Sequence, residues 1–419
     1  MLQRFAQKIC DTTHEIIGFH TLVTNEKAII IGASELSRIG SVHHPSLEVM
    51  RTGNEVFTDE SEALELDGVK PGVTLPVSLT GNVVGSIAIA GDHLEVARYG
   101  YLVQKQAELF LREQMLRESS EARERALRDL VGDIASFEPG RDDASMLTAR
   151  GRELGYDLDK PRGCLILLLG SSGDFAAETT EKPEDPLYIR ERRNTALEIL
   201  RRIFPEPLNI VADLGQRRFA VLSAVTRENE TNWRSYIDER FRSCMLLGLE
   251  KSMLCTMGAG LPARTPAELH ASYCAAWKAL TIGIRKKRTG EAHYIEEYLV
   301  EDILTTVDVS AAREFTRKTL GPLSAVPDRG EMIRTFQAWL RDPCNPGLVA
   351  ETLNIHRNTL HYRLEKIHRV TGLDPRKFTE AFNLHLALTL DMLHECTVAT
   401  PSPSCSTCSR SKAGSSTSA

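Results

Sequence analysis

Leu2, Phe5, Ile9, Thr13, Ile16 and Ile17 fall near helical spacing and predict a helix over 2–17. The pattern then shortens to β-rich runs at 20–24 and 28–31, around Asn25-Glu26-Lys27. Further on, β-branched runs at 73–79 and 83–90 flank Thr80-Gly81-Asn82, whose glycine accepts positive φ, and predict a hairpin. A helix from about His93 closes an α+β module spanning residues 1–135. From Tyr99 to Phe137 proline is absent, and Leu102, Leu109, Leu116 and Leu130 recur at multiples of seven with Arg123 in the remaining slot. That spacing fits a signalling helix or short coiled coil, and equally a long exit helix packing on its own domain.

The next segment, 140–290, alternates strand runs at 163–170, 209–214 and 218–225 with helical patterns over 188–203 and from near Asn232, the ingredients of an α/β domain. Pro183, Pro186, Pro205 and Pro207 mark loops or helix boundaries around it. Residues 291–395 read as helical, and the Ser/Thr/Pro-rich tail 397–419 has too little apolar area to order itself.

Charge adds a constraint. Lys plus Arg number 51 against 57 Asp plus Glu, a net charge of −6, so any contact with nucleic acid must be local. The longest apolar run, about 164–169, is far short of the roughly 20 residues that cross a bilayer, and the N-terminus lacks a signal peptide's apolar region, so no membrane role and a cytoplasmic location are expected. Nine cysteines, among them Cys10, Cys164, Cys244, Cys255 and Cys274, follow no framework spacing and read as buried thiols.

The most informative stretch is LVAETLNIHRNTLHYRLEKIHRVTGL, 348–373. Ala350, Asn354, Ile355 and Leu360 have helix-turn-helix spacing: a small residue where helices cross, a turn residue tolerant of left-handed φ, and apolar anchors on the second helix. Leu353, Ile355, Leu360, Leu364 and Ile367 form the buried stripe, opposite Arg357, Asn358, His361, Tyr362, Glu365 and Lys366. Arginine bonds guanine bidentately and asparagine bonds adenine, so Arg357 and Asn358 are the expected base readers, with His361 one turn on. Thr359, Arg363, Lys366 and Arg369 suit phosphates. The same spacing also occurs in ordinary solvated amphipathic helices.

The phrase NIHRNTLHYRLEKIHRVTGLDP and the following AFNLHLALTLDML resemble the C-terminal helix-turn-helix (331–393) of the PucR and sugar-diacid regulator group. SRIGSVHHPSLEVMRTGNEV (37–56), LDGVKPGVTLPV (66–77) and GNVVGSIAIAGDHLEVARYGYLV (81–103) resemble that group's N-terminal sugar diacid recognition domain. The resemblance implies a bacterial transcription factor of the carbohydrate diacid regulator family, an activator responding to acids such as galactarate, glucarate or glycerate. Its implied architecture is a PAS/Cache-like α+β sensor, a degenerate GGDEF-like α/β middle domain and an all-α C-terminal reader. Its implied partners are double-stranded operator DNA, a small hydroxylated carboxylate and a second copy of the chain in a homodimer or higher oligomer, since palindromic operators favour two-fold proteins.

A hydroxylated carboxylate needs a cationic or amide clamp and hydroxyl partners. Arg38, Ile39 and Gly40, with Lys70, Pro71, Gly72, Val73 and Thr74, are the expected clamp; Ser34, Ser37, His43 and His44 are expected to face its hydroxyls. In the middle domain the hairpin reads Leu214-Gly215-Gln216-Arg217-Arg218-Phe219 where an active cyclase carries acidic residues, and Gln216 to Arg218 cannot hold Mg²⁺. No catalytic residue, cofactor or metal is expected, although His394, Cys396, Cys405 and Cys408 include one pair with zinc-ligand spacing. A signalling-nucleotide cyclase or hydrolase with an appended sensor, and a non-DNA protein-interaction module, are the rival readings.

Overall fold

Alternation decides the N-terminal unit, residues 1–123. The computed structural model describes residues 2–66, 68–170, 186–343 and 345–395. The Ser/Thr/Pro-rich tail, Cys396, Cys405, Cys408 and Pro183 lie outside the described residues.

After α1 (Ala6–Ile17) come β1 (Thr21–Asn25), β2 (Ile30–Ala33), a 3-10 turn (Leu36–Arg38), α2 (His44–Thr52), β3 (Val56–Thr58), α3 (Glu60–Glu65), β4 (Gly72–Leu79), β5 (Asn82–Ala90) and α4 (His93–Ser136). The five strands form an antiparallel sheet in the order β2-β1-β5-β4-β3. One face sends Val23, Val73, Leu75, Val77, Ile87 and Ile89 into a core with Ala6 and Cys10 of α1 and Val96, Val103 and Leu111 of α4. The next residue along each strand faces the other way. Leu22, Ala33 and Ala88 therefore lie on the opposite face, where α2 packs and leaves room for a cavity. The hairpin turn falls where expected, with Thr80 and Gly81 both at positive φ. The pattern gave no signal for α2, β3 and α3, because those segments are too short for a period to register.

The second unit, residues 124–419, begins inside α4. Leu127, Leu130, Val131 and Ile134 are buried in its core, whereas Leu102, Leu109 and Leu116 are exposed, so the seven-residue spacing does not mark one continuous buried stripe. Then follow α5 (Ala144–Glu153), β6 (Arg162–Gly170), α6 (Pro186–Ile203), β7 (Ile210–Gly215), β8 (Arg218–Ala224), α7 (Trp233–Glu250), β9 (Leu254–Ala263), α8 (Pro266–Arg285) and β10 (Ala292–Tyr294). Their sheet order is β10-β9-β6-β8-β7, antiparallel except for β10 against β9. β6 is central and buried on both faces, which explains its unbroken apolar run. β10 corrects the expectation of helix alone after Gly290: three residues pair with β9 and place buried His293 against Gly283 of α8.

The remaining helices are α9 (Leu299–Leu304), α10 (Val309–Leu320), α11 (Arg329–Arg341), α12 (Pro346–Thr352), α13 (Arg357–Thr371) and α14 (Phe378–Glu395). Cys10, Cys164, Cys244 and Cys255 are buried free thiols, and Cys274 is half-buried. Among the described residues no helix is long and apolar enough to cross a membrane.

Candidate functional site

Two places gather chemistry, one in each unit. In the first, the β1–β5–β4 face, the loop after β2 and the start of α2 enclose a cavity of about 30 Å³, within about 420 Å³ of empty space that includes open solvent at its mouth. Ser34, Arg38, His43, Lys70, Gly72, Val73 and Thr74 all line it. The loops after β2 and before β4, with Glu35 and Lys70 35 residues apart, thus meet across one opening.

Five expected members do not line the cavity. Ile39 and Gly40 lie exposed on the loop beyond Arg38, and the Gly40 N–H already donates to the Ile30 carbonyl at 2.9 Å. His44 is exposed at the start of α2, and Pro71 precedes β4 without facing the space. Gly72 lines the cavity, yet its missing side chain accommodates β5: a Cβ there would stand 2.1 Å from the Ile89 carbonyl oxygen. Ser37 is exposed on the 3-10 turn.

The structure adds His20, Thr21, Glu35 and Thr58 to the lining. Lys70 Nζ donates to Glu35 Oε1, and His20 Nδ1 lies 3.5 Å from the same oxygen. The hydrogen bond from Lys70, with the charges of Lys70, His20 and Arg38, holds the Glu35 carboxyl below its ordinary range. His43 is buried, and burial together with the charges of Arg38 and His44 pushes its pKa down to about 4. Its Nδ1 stands 2.7 Å from Ser46 Oγ, which accepts from Ser86 Oγ at 2.7 Å; Ser86 in turn pairs with Thr24 Oγ1 at 2.8 Å. A buried chain of hydroxyls thus leads from the cavity wall beneath α2. The adjacency of Ser34 and Glu35, and the position of His20 and Thr21 at the entry to β1, were the available signals for these additions.

The second place is the C-terminal helical core, where Met332, Phe336, Trp339, Val349, Ala350, Leu360, Leu364, Ile367 and Leu384 are buried together. Asn345 caps α12 by accepting from the Leu348 N–H at 3.2 Å, and Pro346 starts that helix. The turn to α13 runs through Asn354 at φ 53°, and the Ile355 N–H returns to the Ala350 carbonyl at 2.9 Å. Asparagine tolerates this left-handed conformation better than most side chains. His356 caps α13, accepting from the Asn358 N–H at 3.2 Å, and Gly372 ends it in the left-handed conformation.

This packing turns Leu360, Leu364 and Ile367 inward and leaves Arg357, Asn358, His361, Tyr362 and Arg369 exposed, with Thr359 half-buried. The Arg357 guanidinium lies against Gly347 of α12: a Cβ on that glycine would stand 2.4 Å from Arg357 Nη2. Arg363 and Lys366 are spent differently from the expectation for phosphate binders. Arg363 pairs with Glu331 and bonds Thr335 Oγ1 at 3.3 Å, while Lys366 pairs with Asp328 at 3.1 Å, so both tie α13 to the α11 region. Glu365 pairs with Arg376 at 2.8 Å. The exposed remainder is Arg357 and His361 in the first turns of α13, near its N-terminal amides, and Arg369 in its last turn, an arrangement suited to a polyanion lying along the helix.

In the sequence between these segments, the middle-domain hairpin turns tightly at Gln216 and Arg217, both at positive φ. Arg218 lies over the Trp277 ring at 5.3 Å, and buried Asp213 is held by Arg128 at 2.8 Å and Arg193 at 2.9 Å. That carboxylate is matched by two guanidiniums. Among the described residues no group of three His, Cys, Asp or Glu side chains is placed to hold a metal ion.

Family models match three segments of the chain: "Putative sugar diacid recognition" over residues 1–134, "GGDEF-like domain" over 139–282 and "PucR C-terminal helix-turn-helix domain" over 332–390. The chain is 28% identical to the carbohydrate diacid regulator of Escherichia coli, across 93% of this chain and 97% of that protein. It is 23% identical to the YsfB protein of Bacillus subtilis, across 91% of this chain and 96% of the relative. A shorter match, 34% identity over 79 residues, links 18% of the chain to 19% of the proline-responsive transcriptional activator PutR of Bacillus subtilis.

Proposed function

We propose that this chain, which belongs to the carbohydrate diacid regulator family of transcription factors and carries a PucR-type helix-turn-helix, activates sugar-diacid or glycerate catabolism genes when a small hydroxylated carboxylate binds its N-terminal unit. The observation that carries the DNA half is α13, whose inner face is packed and whose first turn presents Arg357 and Asn358 to solvent. His361, Tyr362 and Arg369 extend that face, while Arg363 and Lys366 fix the helix angle through α11. Base readers in the first turn with cations further along are what a major-groove helix needs.

The effector half is supported by the cavity, where Arg38 and Lys70 supply charge and Ser34, Thr21, Thr58 and Thr74 supply hydroxyls. The strand order β2-β1-β5-β4-β3 supports reading this unit as PAS/Cache-like. The middle domain serves packing or relay and performs no nucleotide chemistry, a reading supported by Gln216 to Arg218 and the doubly paired Asp213. A cytoplasmic homodimer on a palindromic operator completes the proposal.

Selection of binding sites from random DNA by the full chain tests it. A single enriched, two-fold related sequence is expected, with enrichment lost for Arg357→Ala combined with Asn358→Ala. Recovery of no preferred sequence would refute the reading.

A further inference from the structure

We propose that Glu35 is a built-in carboxylate competitor: an effector acid binds by taking Lys70 over from Glu35, so that Glu35 sets which anions the pocket accepts. This rests on the reading of the cavity as the acid site.

The geometry around Glu35 is that of carboxylate recognition. Lys70 Nζ and His20 Nδ1 converge on one oxygen, Oε1, and the carboxyl is held low by those groups and by Arg38. Whatever recognises this side chain recognises a free carboxylate as well, because Lys70 is charged and neither Lys70 nor His20 addresses any other part of the residue. Glu35 and Lys70 come from different loops, after β2 and before β4, and both line the cavity. Their side chains are 37% and 41% exposed, so the pair is screened and weakly held, and exchange of one carboxylate for another is nearly balanced. The cavity itself, about 30 Å³, has room for little beyond a water molecule, so an acid enters by parting these loops. Releasing Lys70 from Glu35 does that and supplies a cation to the acid in one movement.

Charge then predicts selectivity. Among the arginine, lysine and carboxylate groups of the lining, Arg38 and Lys70 are opposed by Glu35, while His43, with its pKa near 4, is neutral at pH 7. This balance of one excess positive charge suits a monocarboxylate. Without Glu35 the excess is two, which suits a dicarboxylate. A side chain with a merely structural role would not change the ranking of acids by their number of charges.

The test is calorimetric titration of the full chain with galactarate and, separately, glycerate, for the wild type, Glu35→Gln, Glu35→Ser and Lys70→Met. Both Glu35 variants are expected to bind galactarate roughly tenfold more tightly, the glycerate gain being smaller, because one nearby like charge is removed from each acid charge it faces. Lys70→Met is expected to weaken both. Unchanged or weaker binding by the Glu35 variants, with Lys70→Met still harmful, would overturn the competitor role and leave the pocket reading intact. Equal gains for the two acids would overturn the charge count. Failure of wild type and both Glu35 variants to bind either acid would overturn the pocket reading and this inference together.

Discussion

Truncating Arg357 separates base reading from packing. The side chain is exposed at the start of α13, its guanidinium lies over Gly347, and among the described residues it makes no hydrogen bond or ion pair. Arg357→Ala therefore removes neither core volume nor a partner, and stability is expected to change by less than about 0.5 kcal/mol. If the guanidinium bonds one guanine bidentately, its loss costs about 1–3 kcal/mol of specific binding. At about 1.4 kcal/mol per factor of ten, that is roughly 5- to 150-fold in affinity, confined to one base pair. Arg357→Lys keeps the charge without the fork and is expected to retain non-specific affinity while losing the preference. Arg363→Met provides the contrast. That side chain is 19% exposed and bound to Glu331 and Thr335, so its loss is expected to lower stability by about 1 kcal/mol and weaken all sequences alike. Fluorescence anisotropy on the selected operator and its single-base-pair variants, with thermal melts of each protein, provides both readouts. Arg357→Ala weakening every sequence by the same factor, or none, would refute its role as a base reader.

Two further outcomes follow from the packing. His43 has a pKa near 4 in the folded chain against an ordinary 6.5, so between those values the unfolded chain binds more protons; its contribution is complete above pH 6.5 and is lost as pH falls toward 4, by about 3 kcal/mol in total. Melting of wild type and His43→Gln from pH 7.5 to 4.5 is expected to show a shallower pH dependence in the variant, and parallel curves would count against it. Gly163→Ala is expected to cost about 1–3 kcal/mol by urea unfolding, because a Cβ there would stand 2.1 Å from Trp233 Cζ2, and a neutral result would mean that Trp233 moves freely.

The sequence was most legible where one local rule sufficed. Asn354 could be read as a left-handed turn residue because few side chains accept that conformation, and the apolar spacing around it located α12 and α13. The β4–β5 hairpin was legible from alternation and the Gly81 turn. Long-range partners were not. Nothing local to Arg363 or Lys366 announces Glu331 or Asp328, so two cations that look available for phosphate are bound to the region of α11. Likewise Glu35 carries no pattern of its own, and its importance emerges only when Lys70, distant in sequence, folds against it. β10 was missed because three residues are too few for periodicity to register and β9 supplies its pairing.

In the proposed regulation, an acid in the N-terminal unit changes how tightly the C-terminal helices hold DNA. The most direct test is titration of the selected operator with the full chain at fixed salt, with and without saturating galactarate, glucarate or glycerate, in the wild type and in Arg38→Ala. At least one acid is expected to change operator affinity by roughly 5- to 150-fold, the range of a coupling of about 1–3 kcal/mol, and Arg38→Ala is expected to abolish the change while leaving affinity without acid unaltered. Identical operator affinity with and without every acid, in a protein that binds the operator specifically, would contradict the claim.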